Sequence, residues 1–216
     1  MNQLFKVFIL TNMLLWLSFN IEAQTDQSQI QKRLTLGLNS GISNQAILFL
    51  ENSDYQYKNQ FYRVEFRFPI TNKKNWNFEM VAAPSYYITE YRLQNKHYIK
   101  PEDNENYVAE REKYTQERIL KEYALQISLL WRYNISKKLS AYSLIGSGPM
   151  LIDKESERQA KGFNFSNYGG FGVMYQVSNI FLDLRGSIRH ASNLQLREPN
   201  NGYDMMSVEI GVSMFL

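Results

Sequence analysis

Hydrophobic and polar residues alternate along most of the chain from residue 33 onward. The pattern is clearest in 122–133 (EYALQISLLWRY), where every odd position carries an apolar or aromatic side chain and most even positions are polar. Successive side chains of a β-strand point to opposite faces, so this period of two predicts strands with one apolar face. The predicted strands are 33–42 (extending towards 50), 62–70, 76–88, 122–133, 139–151, 163–177, 180–192 and 204–216.

Short and long connections alternate between these strands. The short ones are 72–75, 136–138 and 178–179, and the longer ones are about 51–59, 90–118, 152–162 and 193–202. Barrels of the bacterial outer membrane have short periplasmic turns and long external loops. We therefore expect both chain ends on the periplasmic side, and we expect 90–118 to be a charged external loop with room for a short helix.

The polar face of the predicted strands carries charges of both signs, namely Arg63, Glu65, Arg67, Glu79, Glu122, Arg132, Asp183 and Arg185. In a soluble β-sandwich such a face would lie in water. In a transmembrane barrel it would fill the interior, where opposite charges pair, and the apolar face would meet lipid. The count of eight, the aromatic content of 14% and an export signal favour an all-β, eight-stranded antiparallel transmembrane β-barrel of the bacterial outer membrane.

The first 23 residues are predicted to be that export signal, a cleaved signal peptide. Lys6 gives a short basic region, residues 7–17 (VFILTNMLLWL) an apolar core, and Ala23 a small residue for cleavage. The apolar core is shorter than the roughly 20 residues that a membrane-spanning helix needs, although a retained helical anchor stays an alternative. Residues 24–216 are then a single barrel domain, located in the cell outer membrane.

Composition argues against several kinds of site. The chain has no cysteine, which excludes a disulfide framework and thiolate metal ligands, and two histidines, His97 and His190, do not suggest a metal centre. A net charge of +3 gives no argument for binding nucleic acid. We expect no cofactor and no metal.

Three polar residues interrupt the apolar phase near the C-terminus. His190 and Ser192 end the apolar even-numbered phase of 180–192, and Asp204 begins the corresponding phase of the last strand. Both strand ends adjoin loop 193–202, so antiparallel pairing would bring the three side chains together on the outer wall. Polar groups facing hydrocarbon are costly. At headgroup height they would cost little and need no function, but their types are those of a nucleophile, a base and an orienting acid.

This part of the chain resembles the PagL family of outer-membrane lipid A 3-O-deacylases. The resemblance lies in the pattern H-x-S-N-x5-P-N-x-G-x-D, formed by His190, Ser192, Asn193, Pro199, Asn200, Gly202 and Asp204. It implies an eight-stranded barrel with a triad facing the outer leaflet, in which Ser192 is the nucleophile and His190 the base. Asp204 occupies the position of the family's glutamate. Asn193 and Asn200 match asparagines near the substrate, one of which would stabilise the oxyanion.

Two departures from the family pattern bear on the site. The acid Asp204 is one methylene shorter than glutamate, and Leu194-Gln195 replaces the small pair that usually follows Ser-Asn. The implied substrate is lipid A of lipopolysaccharide in the outer leaflet. Arg197 is a candidate partner for its phosphates, whereas Arg189 is expected to point inward and to be structural.

Two other functions stay open from the sequence alone. A small barrel without catalysis would use its long loops for binding or would have a structural role. A phospholipase would use a similar triad on glycerophospholipid, but such enzymes typically need calcium, and the sequence has no acidic cluster suited to it. Dimerisation also stays open.

Overall fold

A computed structural model describes residues 34–47, 50–51, 54–73, 75–102 and 105–216 of the chain. The predicted signal peptide, residues 1–23, lies outside the described residues, and so does the start of the predicted strand 33–42. Among the described residues, no helix is long and apolar enough to span a membrane.

Eight antiparallel strands form a closed barrel, and each pairs with the barrel strands before and after it in the sequence. The strands of the structure are β1 (Thr35–Asn44), β2 (Ala46–Ile47), β3 (Leu50–Glu51), β4 (Tyr55–Lys73), β5 (Trp76–Leu93), β6 (Arg118–Asn134), β7 (Leu139–Ile152), β8 (Gly162–Val177), β9 (Ile180–Ser192) and β10 (Tyr203–Phe215). Strands β2 and β3 form a separate two-stranded hairpin. Strand β1 closes the ring by pairing with both β4 and β10. The predicted eight-stranded barrel is confirmed.

The connections divide the barrel into two unlike ends. The turn end carries the short connections 74–75, 135–138 and 178–179, and the loop end carries 45–54, 94–117, 153–161 and 193–202. The Leu216 N–H donates to the Leu34 carbonyl (2.8 Å), which places both ends of the described chain at the turn end. The predicted alternation of connection lengths is therefore confirmed.

Three strands extend further towards the loop end than the sequence predicted. Strand β4 begins at Tyr55, inside the predicted loop 51–59, and loop 90–118 shrinks to 94–117. Residues 55–61 keep the alternation, but here most inward side chains are aromatic and the outward ones are polar, as at Tyr57 and Lys58. Where a strand extends beyond the hydrocarbon region, its outer face meets water. The apolar outer face and polar inner face of the membrane-spanning part are therefore exchanged. The loop 94–117 contains a 3-10 turn at Lys96–Tyr98 and helix α1 (Tyr107–Thr115), as predicted.

The wall of the barrel separates an apolar exterior from a charged interior. Large apolar side chains that face outward include Leu38, Ile42, Ile145, Phe171, Leu184, Val208 and Ile210. Buried ion pairs inside the barrel include Arg189–Glu122 (2.6 Å), Arg185–Glu65 (2.7 Å), Arg63–Glu209 (2.8 Å) and Arg67–Asp183 (2.9 Å). A buried charge is tolerated only when it is paired and hydrogen-bonded. The predicted inward charged face thus fills the barrel, and the apolar face forms the surface of a transmembrane barrel.

Aromatic side chains fill the interior towards the loop end. Tyr57 stacks on Tyr203 with 4.5 Å between ring centroids and lies 4.8 Å from Tyr91. These rings are fully buried and belong to a cluster beneath the loops. The inner side of the wall is therefore occupied by packed side chains where β9 and β10 reach the loop end, and only the outer side is open to a ligand.

Candidate active site

His190 and Asp204 meet on the outer wall at the loop end. The register of β9 and β10 places the two residues directly opposite each other. The His190 Nδ1 lies 2.8 Å from the Asp204 Oδ1, and their side chains are 39% and 34% exposed. The close approach predicted from the shared outward phase is confirmed.

This contact determines which nitrogen of His190 is available for chemistry. An ionised carboxylate only accepts hydrogen bonds, so the proton between the two groups lies on Nδ1 when the ring is neutral. The Nε2 atom then carries the lone pair. A ring held in this way by an acid is oriented to take a proton at Nε2.

The shorter acid reaches its partner without a change of register. Pairing of β10 with β9 continues without a shift from Tyr203↔Ala191 to Met214↔Ile180. Side chains of directly opposed residues start close together, at about 4.5–5.5 Å between Cβ atoms. An aspartate is therefore long enough for the hydrogen bond at this position.

Ser192 lies two residues beyond His190 as the last residue of β9. It shares the outward phase, but its side chain is largely covered, at 8% exposure. Among the described residues, the side-chain hydrogen bonds do not include one between Ser192 and His190. The structure thus brings His190 and Asp204 into contact and leaves Ser192 beside them. Catalytic hydrogen bonds are often long or misaligned until substrate binds.

The two asparagines of the motif differ in whether their side-chain amide group is already used as a donor. The Asn193 N–H donates to Asn200 Oδ1 (2.7 Å), and Asn193 Nδ2 donates to the Arg197 carbonyl (2.8 Å). Asn193 therefore uses its amide donor to shape the loop. Because the Oδ1 of Asn200 must face a backbone donor, its Nδ2 points away from that contact. Of the two, Asn200 is the one whose amide can donate to an incoming group.

Gly202 forms one edge of the site through its backbone. Its φ is +64°, and a Cβ added there would lie 3.1 Å from His190 Cε1, 3.4 Å from His190 Nε2 and 2.7 Å from the Ala191 carbonyl oxygen. Both the left-handed backbone and the close approach require glycine. Gly202 belongs to the sequence pattern, but the sequence alone did not indicate what it does.

The pair that departs from the family pattern occupies a strained turn. Leu194 and Gln195 have φ values of 54° and 64°, in the left-handed region that side chains with a Cβ rarely adopt. Small residues are expected at such positions, and this chain carries two large ones directly after Asn193. Leu194 is exposed, so it adds an apolar side chain to the rim of the site.

A second polar pair lies beside His190 and was missed from the sequence. Asn167 of β8 is directly opposite His190, and Ser147 of β7 is directly opposite Asn167. The Ser147 hydroxyl donates to Asn167 Oδ1 (2.6 Å). Together with Asp204, these residues form one polar row across four strands of the outer wall. The available signal was the same as for His190, a polar residue within the apolar phase of its strand.

The two arginines considered from the sequence lie on opposite sides of the wall. Arg189 is buried in the barrel, and its Nη1 lies 2.6 Å from Glu122, as expected for a structural residue. Arg197 is exposed at the loop end, where its Nη1 donates to the Lys161 carbonyl (3.2 Å). Only Arg197 is accessible from outside.

Comparison with known proteins adds a family and a set of similar folds. The sequence model of one family, described as "Lipid A 3-O-deacylase (PagL)", matches residues 60–213. This range runs from β4 to β10 and includes His190, Ser192 and Asp204. No curated protein matches the chain.

Several solved structures are similar in fold. The crystal structure of the outer membrane enzyme PagL is 11% identical, with a TM-score of 0.46 over 83% of this chain and 98% of the other. Neisserial surface protein A is 12% identical, with a TM-score of 0.47 over 85% and 97%. The attachment invasion locus protein Ail of Yersinia pestis is 13% identical, with a TM-score of 0.40 over 86% and 99%. Similarity at such low sequence identity concerns the fold alone and is no evidence of function.

Proposed function

Because this chain belongs to the lipid A 3-O-deacylase (PagL) family, we propose that it removes the ester-linked 3-O acyl chain of lipid A with a Ser-His-Asp triad on its outer wall. The observation that carries the proposal is the hydrogen bond between His190 and Asp204 (2.8 Å), formed in the outward phase beside Ser192. Base, acid and hydroxyl are the three groups that acyl transfer from an ester needs.

Acylation begins with proton transfer from Ser192 to His190. The Ser192 Oγ attacks the ester carbonyl while its proton moves to His190 Nε2, and Asp204 stabilises the imidazolium that forms. The carbonyl oxygen becomes an oxyanion, to which Asn200 Nδ2 can donate a hydrogen bond. The tetrahedral intermediate then expels the sugar 3-oxygen, which takes the proton from His190. An acyl-serine remains.

Water completes the reaction at the same groups. His190 takes a proton from a water molecule as its oxygen attacks the acyl-serine carbonyl. Collapse of the second tetrahedral intermediate releases the fatty acid and returns the proton to Ser192. The sum is hydrolysis of one ester into an alcohol and a carboxylic acid. These steps use only groups of this chain and water.

The place of the site on the wall suits a lipid substrate. The interior behind it is filled by buried tyrosines, whereas the outer surface below it is apolar, with Ile188 and Met206 next to the polar row. An ester at the boundary between headgroups and acyl chains would reach such a site by lateral movement in the leaflet. We place the barrel in the outer membrane with its loop end outside, where lipopolysaccharide lies.

Mass spectrometry of lipid A from cells that produce the wild type or Ser192→Ala tests this function. We expect the loss of one 3-O-linked acyl chain with the wild type and no loss with Ser192→Ala. Ser143→Ala is a matched control, since Ser143 also faces outward on the wall but lies on β7, away from the triad. Identical spectra for the wild type and Ser192→Ala would contradict the proposal and favour a barrel without this activity.

A further inference from the structure

The segment 199–202, which carries Asn200 and Gly202, is held in place by the neighbouring loop 153–161. The Ala160 N–H donates to the Pro199 carbonyl (2.9 Å), and the N–H groups of Asn201 and Gly202 donate to the Arg158 carbonyl (2.8 and 3.3 Å). An isolated bridge also joins Gln159 to Asn200. The position of this segment therefore depends on loop 153–161 as much as on β10.

The side chain of Arg158 adds a second set of contacts to the same segment. Its Nε donates to the Gly202 carbonyl (2.7 Å) and its Nη2 to the Asn201 carbonyl (3.2 Å). Both polar groups of the Gly202 backbone are thus bound by one residue. A planar guanidinium can bind two neighbouring carbonyls in fixed directions, whereas a lysine ammonium on a flexible stem cannot.

Arg158 also contacts loop 94–117 and the start of β4. Its Nη1 donates to the Tyr98 hydroxyl (2.9 Å) in loop 94–117. Its guanidinium carbon lies 4.2 Å from the centroid of the ring of Tyr55, the first residue of β4. Stacking of this kind restricts the guanidinium to one plane. Arg158, itself in loop 153–161, is therefore in contact with segment 199–202, loop 94–117 and the start of β4.

These contacts bear on two groups of the candidate site. The Gly202 backbone lies against the edge of the His190 ring that carries Nε2, and Asn200 is held by the Asn193 N–H. If segment 199–202 moved, the base and the oxyanion donor would change position relative to each other. Errors of about 1 Å in the placement of reacting groups can lower turnover about 100-fold.

We propose that Arg158 is a positioning residue of the active site, which fixes segment 199–202 and ties its position to loops 153–161 and 94–117 and to the start of β4. This inference rests on the proposed deacylase function. Arg158 touches neither the triad nor the reacting atoms, and it acts through Asn200 and Gly202.

Steady-state kinetics of Arg158 variants on lipid A in mixed vesicles test the proposal. We expect Arg158→Ala to lower kcat by about 10- to 100-fold, with KM changed less than about threefold. The kcat of Arg158→Lys should be intermediate, because lysine keeps the positive charge but lacks the planar guanidinium that binds two carbonyls. Arg111→Ala is the matched control: Arg111 also binds a loop carbonyl, that of Ile99 (3.0 Å), and stacks on Tyr107. A wild-type kcat in Arg158→Ala, or an equal loss in Arg111→Ala, would overturn the proposal.

An NMR measurement of His190 separates this inference from the proposed function. The chain has two histidines, so a His97→Gln variant identifies the ring signals of His190. We expect the His190 Hε1 signal to shift in Arg158→Ala and to stay in place in Arg111→Ala, with both barrels folded by their electrophoretic mobility. A shift in a barrel that does not act on lipid A would support the positioning role and refute the deacylase. An unmoved signal in an active barrel would refute the positioning role alone.

Discussion

Asp204 reaches His190 at 2.8 Å although its side chain is one methylene shorter than glutamate. We predict that Asp204→Asn lowers turnover at least about 100-fold, because the amide neither stabilises the imidazolium nor selects the Nδ1 tautomer. Asp204→Glu should keep measurable activity. Initial rates on lipid A, together with the mobility of the folded barrel, test this. An unchanged rate in Asp204→Asn would remove Asp204 from the triad.

At the level of single residues, the sequence could predict a contact between two side chains only where both lie in the outward phase of their strands and flank the same loop. His190 and Asp204 share the outward phase and flank one loop, which is sufficient to predict their contact. Asn167 is also a polar residue in an outward phase, but its place opposite His190 follows only from the register of β8 against β9, which depends on the two-residue turn 178–179. Arg158 could not be found, since contacts between loops have no period.

At the scale of elements, segment 199–202 is the part most sensitive to small changes. We predict that Gly202→Ala lowers turnover at least about 10-fold, because the methyl would meet the Ala191 carbonyl oxygen and the His190 ring, and because alanine disfavours a φ of +64°. The barrel should still fold, since Gly202 lies before β10.

Gly186→Ala provides the control for that change. Gly186 is also a glycine of the outer wall, but the nearest atom to an added Cβ is 4.0 Å away. Activity assays and the mobility of the folded barrel are the measurements. Equal activity of Gly202→Ala and the wild type would show that the close approach to His190 is not needed.

The strands themselves were predictable wherever the outer face meets hydrocarbon. Strands β7, β8 and β9 agree with the predicted ranges within one residue at each end. At the loop ends of β4, β5 and β6 the prediction stopped short, because outward polar and inward aromatic side chains do not look like the membrane part of a strand. The period of two continues in these segments, but the polar side chains face outward and the aromatic ones face inward.

At the scale of the whole molecule, Glu157 makes the stability of the folded chain depend on pH. Both carboxylate oxygens are buried without a hydrogen-bond partner in the described part of the chain, and burial raises the pKa of this carboxyl from its ordinary 4.5 to about 7. A raised pKa in the folded state means that folding favours the protonated form. The resulting stabilisation is complete below pH 4.5 and is lost as the pH rises through about 7.

We therefore predict that Glu157→Gln reduces the fall in Tm between pH 5 and pH 8, because an amide does not ionise. Thermal unfolding in detergent measures this. Glu155→Gln is the control, since a hydrogen bond from Lys113 lowers the pKa of Glu155 and moves its titration below this range. The same loss of Tm in Glu157→Gln as in the wild type would assign the pH dependence to other groups.

The filled interior has a consequence for how the whole barrel would meet its substrate. With ion pairs and tyrosines inside, a lipid substrate would reach His190 from the surrounding leaflet and not through the barrel. Encounter then takes place in two dimensions, and the rate depends on the mole fraction of substrate among neighbouring lipids instead of its bulk concentration. Lipid that is not a substrate lowers the mole fraction of substrate around such a site, even when the total amount of substrate is constant. Membrane composition becomes a direct control on turnover.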